Sequence, residues 1–164
     1  MKLLRIYVDN KDWLSAAYVC LHQQNFPQAL SFHLTALSHY KPSLEDNFSQ
    51  IVVMVINKYT RLCIEQTSSA SEREEVYRTL LSQILKFWEM HSLPIIELET
   101  ILGENVDKLA CTLCTMLFWT KSEETDIEIS NKFRNSFSTP FKFKILQEVI
   151  QTVSDNDFER RHPA

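Results

Sequence analysis

Cys111-x-x-Cys114 is the one spacing in this chain that could by itself carry chemistry. A redox pair of this kind opens a helix directly after a strand, where the helix dipole lowers the thiol pKa. Here the pair sits inside the apolar run LACTLCTML, with no strand before it and no proline or glycine between. A zinc site would need two more ligands, and there is no second C-x-x-C and no H-x3–5-H pair. His33 and His39 are six residues apart, outside that spacing. Cys111 and Cys114 therefore read as buried structural thiols, with no metal and no cofactor. Cys20 and Cys63 also lie in apolar stretches. A secreted disulfide scaffold would be shorter and richer in cysteine, so the four suggest core thiols in a reduced, intracellular protein, cytoplasmic or nuclear.

The other reactive side chains form no recognisable constellation. His22, His33, His39, His91 and His162 are scattered, and a pair such as Cys20 with a distant histidine would have to assemble in space. No flanking feature activates any cysteine. The acidic groups Glu72-Glu74-Glu75, Glu97-Glu99 and Glu123-Glu124-Asp126 fall near expected helix starts, where they complement the helix dipole. A di-metal bundle would need E-x-x-H pairs, and none occurs. No residue is assigned as catalytic, and the chain is read as not an enzyme.

Gly103 is the only glycine in 164 residues. Phosphate-cradling loops, dinucleotide fingerprints and nucleophile elbows use glycine where φ is positive or a ligand comes close, so those motifs are excluded. Tight β-hairpins lean on glycine too, which disfavours an all-β fold. The composition, 45% apolar and 23% charged, is that of an ordinary globular domain. The longest apolar run, Ile51 to Ile56, is far short of the roughly 20 residues that span a bilayer. The N-terminus lacks the apolar core and cleavage site of a signal peptide. Net charge is −4 with no basic stripe, so neither a membrane nor a nucleic acid is expected as a partner. Phe141, Lys142, Phe143 and Lys144 alternate, which scatters them around a helix.

What must position these residues is a succession of helices. Trp13, Ala16, Ala17 and Cys20 share a helical face, with Asp9, Asn10 or Asp12 available as cap. Asn25-Phe26-Pro27 opens a second helix through Leu30, Leu34, Ala36 and Leu37 to about Tyr40, and Pro42 stops it. A third is expected from about Leu44 to Gln66, with Phe48, Ile51, Val52, Val55, Tyr59 and Leu62 on one face. Its apolar centre, IVVMVI, implies burial on several sides. After a loop at Thr67–Ser71, Ser69 or Ser71 with Glu72 or Glu74 forms a capping box for a fourth helix. That helix carries Tyr77, Leu80, Leu81, Ile84, Leu85, Phe87 and Trp88. A short helix, Ile95 to Leu102, ends at Gly103 as C-terminal glycine chemistry. Glu104 to Trp119 is strongly apolar and helical, and Lys121 to Phe137 is only weakly so. Ser138-Thr139-Pro140 caps a last helix with Ile145, Leu146, Val149, Ile150 and Val153, and the tail after Asn156 frays.

Residues 10–43 resemble one divergent tetratricopeptide repeat, a helix–turn–helix unit of 34 residues. Trp13 stands at its opening aromatic position, Ala17 and Ala29 at the small close-packing positions, Phe26 at the start of the second helix and Ala36-Leu37 at the late Ala-Leu. Pro42 falls one residue beyond the usual proline, Ala16 replaces a leucine, and His33 sits where an aromatic is expected, beside Phe32. No second copy follows at that period. The resemblance implies that the first helix grips a partner peptide, through Lys11, Leu14, Tyr18, Leu21 and His22. Leu14 and Tyr18 replace the lysine and asparagine that clamp a C-terminal carboxylate, leaving an apolar-aromatic groove. It suits an amphipathic helix, and the preference for burying apolar faces favours a helix of this same protein as its cover.

The expectation is an all-α fold of about 6–8 helices, antiparallel hairpins stacked as an irregular helical-repeat (TPR-like) domain. Residues 1–160 form a single domain, with a hairpin at 10–43, a long helix pair at 44–91 and C-terminal helices at 94–158, and 161–164 is a frayed tail. LLRIYVDN reads as the end of an earlier helix, so the chain is expected to be a module of a longer protein. The function expected is a non-enzymatic protein–protein interaction or scaffold module binding a partner protein or peptide segment through Leu14, Tyr18, Leu21 and His22. A hetero-complex is expected rather than a homo-oligomer. The alternative is a compact all-α subunit of a stable heteromeric complex without a groove; an enzyme of unknown class comes third.

Overall fold

A computed structural model describes residues 2–41, 47–66, 70–118 and 131–161, and every regular element among them is a helix. The chain divides into two compact units, Met1–Leu93 and Pro94–Ala164, where the sequence reading runs 1–160 together. The first unit holds α1 (Lys2–Asp9), α2 (Trp13–His22), α3 (Phe26–Tyr40), α4 (Phe48–Gln66) and α5 (Ala70–Met90). The second holds α6 (Ile95–Glu104), α7 (Val106–Phe118), helical residues 131–136 and α8 (Thr139–Arg161).

In the first unit the caps are those the residue types allow. The Asp12 carboxylate accepts from the Ser15 amide at 3.3 Å and from its hydroxyl at 2.7 Å. Asn25 caps α3 by accepting from the Gln28 amide, with Pro27 in the first turn. Helix α3 is the hub, packed against α2, α4 and α5, and its pairing with α2 is the most extensive. Ala16, Ala17, Ala29 and Ala36 are buried on these two helices, and so small a set of side chains lets the backbones approach closely. On α5 the residues Leu80, Leu81, Ile84, Leu85 and Trp88 are fully buried.

Three helices end without glycine in a glycine-type turn. Lys11, Gln24 and Ser92 have φ of 57°, 59° and 49°, the left-handed region. At each, the amide of that residue donates to a carbonyl three residues back and the next amide to one five residues back. The pairs are Lys11→Val8 with Asp12→Tyr7, Gln24→Leu21 with Asn25→Cys20, and Ser92→Glu89 with Leu93→Trp88. That double bond pattern is the Schellman motif, whose left-handed position is ordinarily glycine.

Several sequence expectations need correcting. Gly103 is not such a cap: no glycine has positive φ, α6 runs on to Glu104, and Asn105 ends it. Gly103 is an ordinary helical residue of α6. Its carbonyl accepts from Lys144 Nζ at 3.2 Å, and an added Cβ would meet that same nitrogen at 3.4 Å. Helix α4 is buried on one face only, through Phe48, Val52, Ile56, Tyr59 and Cys63, while Met54 in the apolar centre is 70% exposed. On α8 the buried face is Phe141 and Ile145, with Leu146, Ile150 and Val153 exposed. The last helix continues to Arg161 instead of fraying after Asn156. The stop at Pro42, the start at Leu44, the Ser69/Ser71 capping box, Trp119 and residues 121–130 lie outside what is described, as do 162–164.

In the second unit α7 packs against both α6 and α8 around Leu98, Leu102, Leu109, Leu113 and Leu117. Phe133, Phe137 and Phe141 pack successively as tilted rings at 5.9 and 4.8 Å between centroids, and the Arg134 guanidinium donates to the Leu117 carbonyl. The Glu99 carboxylate accepts from the Ser138 amide at 2.6 Å and from its hydroxyl at 3.2 Å. Glu99 thus stabilises the start of α8, not the start of its own helix.

Candidate partner-binding groove

Between α1 and α2, which are joined by the Lys11 turn, lies an open groove of about 500 Å3. It is lined by Leu14, Ser15, Tyr18, Val19, His22 and Gln23 from α2 and by Leu3 and Tyr7 from α1. Leu14, Tyr18 and His22 recur every four residues, so they stack along one side of α2. Tyr18 and His22 meet edge to face with centroids 4.6 Å apart.

Of the four residues named from sequence, the structure brings together Leu14, Tyr18 and His22. Leu21 is half-buried and not on the groove wall. Among the described residues of the first unit no helix covers this stripe, although general burial preferences favour one: Tyr18 is 62% exposed and Leu14 45%. Leu3 and Tyr7 lie on the groove although they are not among the sequence candidates; their spacing of four in LLRIYVDN is the signal that points to them.

The closest approach to a catalytic arrangement lies elsewhere in the first unit. Ser38 Oγ is 2.9 Å from His91 Nε2, and Lys41 Nζ is 3.3 Å from His91 Nδ1. Lysine only donates, so Nδ1 must accept and the imidazole proton sits on Nε2, pointing at Ser38. A serine nucleophile needs the opposite polarity, with the histidine accepting from the hydroxyl. Burial first and Lys41 second hold the His91 pKa below the usual histidine value, which keeps the ring in this neutral form. The ring also packs against Phe48 and Phe87, so His91 ties α3, α4 and α5 together. His33 plays a similar part, its Nδ1 lying 3.1 Å from the Tyr59 hydroxyl; burial, then Lys58, lowers its pKa.

The thiols separate into two classes. Cys20 and Cys63 are buried, with burial raising both pKa values, that of Cys63 to about 12. Cys111 is exposed and Cys114 half-exposed, which corrects the expectation that this pair lies in the core. Burial and then the neighbouring Cys111 push the Cys114 thiol up. Among the described residues, no three His, Cys, Asp or Glu side chains gather as a metal site would require. No described helix is long and apolar enough to cross a membrane.

Neither a protein-family model, nor a curated protein, nor a solved structure matches this chain.

Proposed function

We propose that this chain is a non-enzymatic protein–protein interaction module that holds a helical segment of a different protein in the α1/α2 groove. One observation carries the reading. A tyrosine and a leucine stand exposed on the outer side of a helix whose other side is fully packed against α3. Exposed apolar side chains grouped in a concavity mark interaction sites, whereas single ones do not. Tyrosine suits the centre of such a site, with a large apolar ring and a polar tip. The apolar lining favours an amphipathic helix whose large side chains enter at four-residue spacing. The TPR-like reading of 10–43 belongs to the same proposal, as does residence inside the cell.

Affinity purification from a cell extract with mass spectrometry supplies the partner, and Tyr18→Ala then tests the site. Because Tyr18 is exposed, the variant should melt within a degree or two of wild type. Its affinity for the identified partner should fall by roughly 2 kcal/mol or more. Unchanged affinity would exclude the groove.

A further inference from the structure

Helix α7 packs into the second unit through a buried face that includes Leu109, Leu113 and Leu117. Cys111 is exposed on the other side, and Cys114, one turn further on, is half-exposed at its edge. A helical side chain leans toward the N-terminus, so Cys114 leans over the turn that carries Cys111. The two sulfurs feel one another, since Cys111 adds to the effect of burial in pushing the Cys114 thiol up. In a regular helix Cα atoms three residues apart stand about 5 Å from each other, inside the roughly 4.4–6.8 Å across which disulfides form. The Cβ atoms stand about 5–6 Å apart against the ~3.5–4.5 Å that a disulfide needs, so a bond requires this turn to draw in by about 1–2 Å. The turn is already softened there. The Thr115 hydroxyl donates to the Cys111 carbonyl at 2.9 Å, a contact of the kind that slightly weakens and bends helices.

We infer that Cys111 and Cys114 are a reversible dithiol–disulfide couple, oxidised by low-molecular-weight disulfides, and that closing the bond distorts α7. Exposure makes Cys111 the attacking thiol and leaves Cys114 to resolve. The Cys111 thiolate attacks one sulfur of a disulfide such as oxidised glutathione, forming a mixed disulfide and releasing one thiolate. The Cys114 thiolate then attacks the Cys111 sulfur, which closes the Cys111–Cys114 bond and releases the second. Both cysteines are oxidised, the small disulfide is reduced to two thiols, and the two cysteine protons end on those thiols. Cys20 and Cys63 take no part, because they are buried and belong to the first unit. Strained and exposed disulfides are the easily reduced ones, so under reducing conditions the pair rests as the dithiol. Oxidation pulls in the turn between Leu109 and Leu117 and so loosens α7 against α6 and α8. The packing of the second unit is thereby tied to the oxidant around it, independently of the α1/α2 groove.

Incubation of the full chain in glutathione redox buffers at neutral pH, followed by mass spectrometry of its peptides, tests the inference. In excess oxidised glutathione the wild type should lose two hydrogens, with Cys111 joined to Cys114 of the same chain, and dithiothreitol should restore both thiols. Cys114→Ser removes the resolving thiol and should instead retain glutathione on Cys111. Hydrogen exchange reads the conformational half. Amides of residues 110–118 should exchange roughly 10-fold faster or more in the oxidised protein, because a poorly fitting bridge strains the helix that holds it. Those of α2 to α5 should not change. A glutathione adduct that persists on wild-type Cys111, a bridge between two chains, or no reaction at Cys111 would overturn the inference. So would a Cys111–Cys114 bond that leaves exchange in α7 at its reduced rate.

Discussion

Replacing Gln24 with glycine should make this protein more stable. Gln24 has φ of 59° and its side chain is exposed, so the substitution removes no packing. Holding an L-residue in the left-handed region costs about 1–2 kcal/mol, because Cβ crowds the following carbonyl. Glycine relieves that strain but gives the unfolded chain more freedom, which offsets about 0.4–1 kcal/mol. The net expectation is a gain of about 0.5–1 kcal/mol, read as a higher urea midpoint at unchanged slope. Gln24→Ala retains Cβ and should gain nothing, which isolates the backbone term. Gly103→Ala should also stabilise, by up to ~1 kcal/mol, because Gly103 is helical and only the mobile end of Lys144 faces the new methyl group. Were Gly103 a left-handed cap, that alanine would destabilise instead. A Gln24→Gly variant no more stable than Gln24→Ala would refute the assignment of strain to this turn.

The close approach of α2 and α3 predicts that Ala29→Leu lowers stability by about 1–3 kcal/mol, measured by thermal or urea unfolding, since Ala29 is fully buried between them. Thiol labelling of the native protein at neutral pH should modify Cys111 first and Cys114 more slowly, while Cys20 and Cys63 react only on unfolding; mass spectrometry of the peptides reads the order. His33 and His91 have folded pKa values below the ordinary 6.5, so the unfolded chain takes up protons first as pH falls. Their contribution is complete above about pH 6.5 and is lost as pH drops through that value toward the folded pKa values; His91→Gln should flatten the dependence of the unfolding midpoint on pH.

Local patterns in the amino-acid sequence determined the class of the fold and much of its punctuation. Asp12 and Asn25 were legible as caps because capping depends on residues three positions apart. The α5 core was legible because a helix repeat confines its apolar side chains to one face, and each named residue is buried. Tertiary structure decided which apolar face would be covered, since that depends on how many neighbours arrive and from where. On α4 and α8 the periodicity offered more apolar surface than the packing covers, so Met54 and Ile150 remain in solvent. Only the assembled hairpin could bring Leu3 and Tyr7 opposite Leu14 and Tyr18, because a groove between two helices has no single period. The turns show the division most directly. Glycine signals a left-handed residue in sequence, but here lysine, glutamine and serine take that conformation and the one glycine does not. Hydrogen bonds of each turn, together with the packing of the helices they join, outweigh a local preference of about 1–2 kcal/mol.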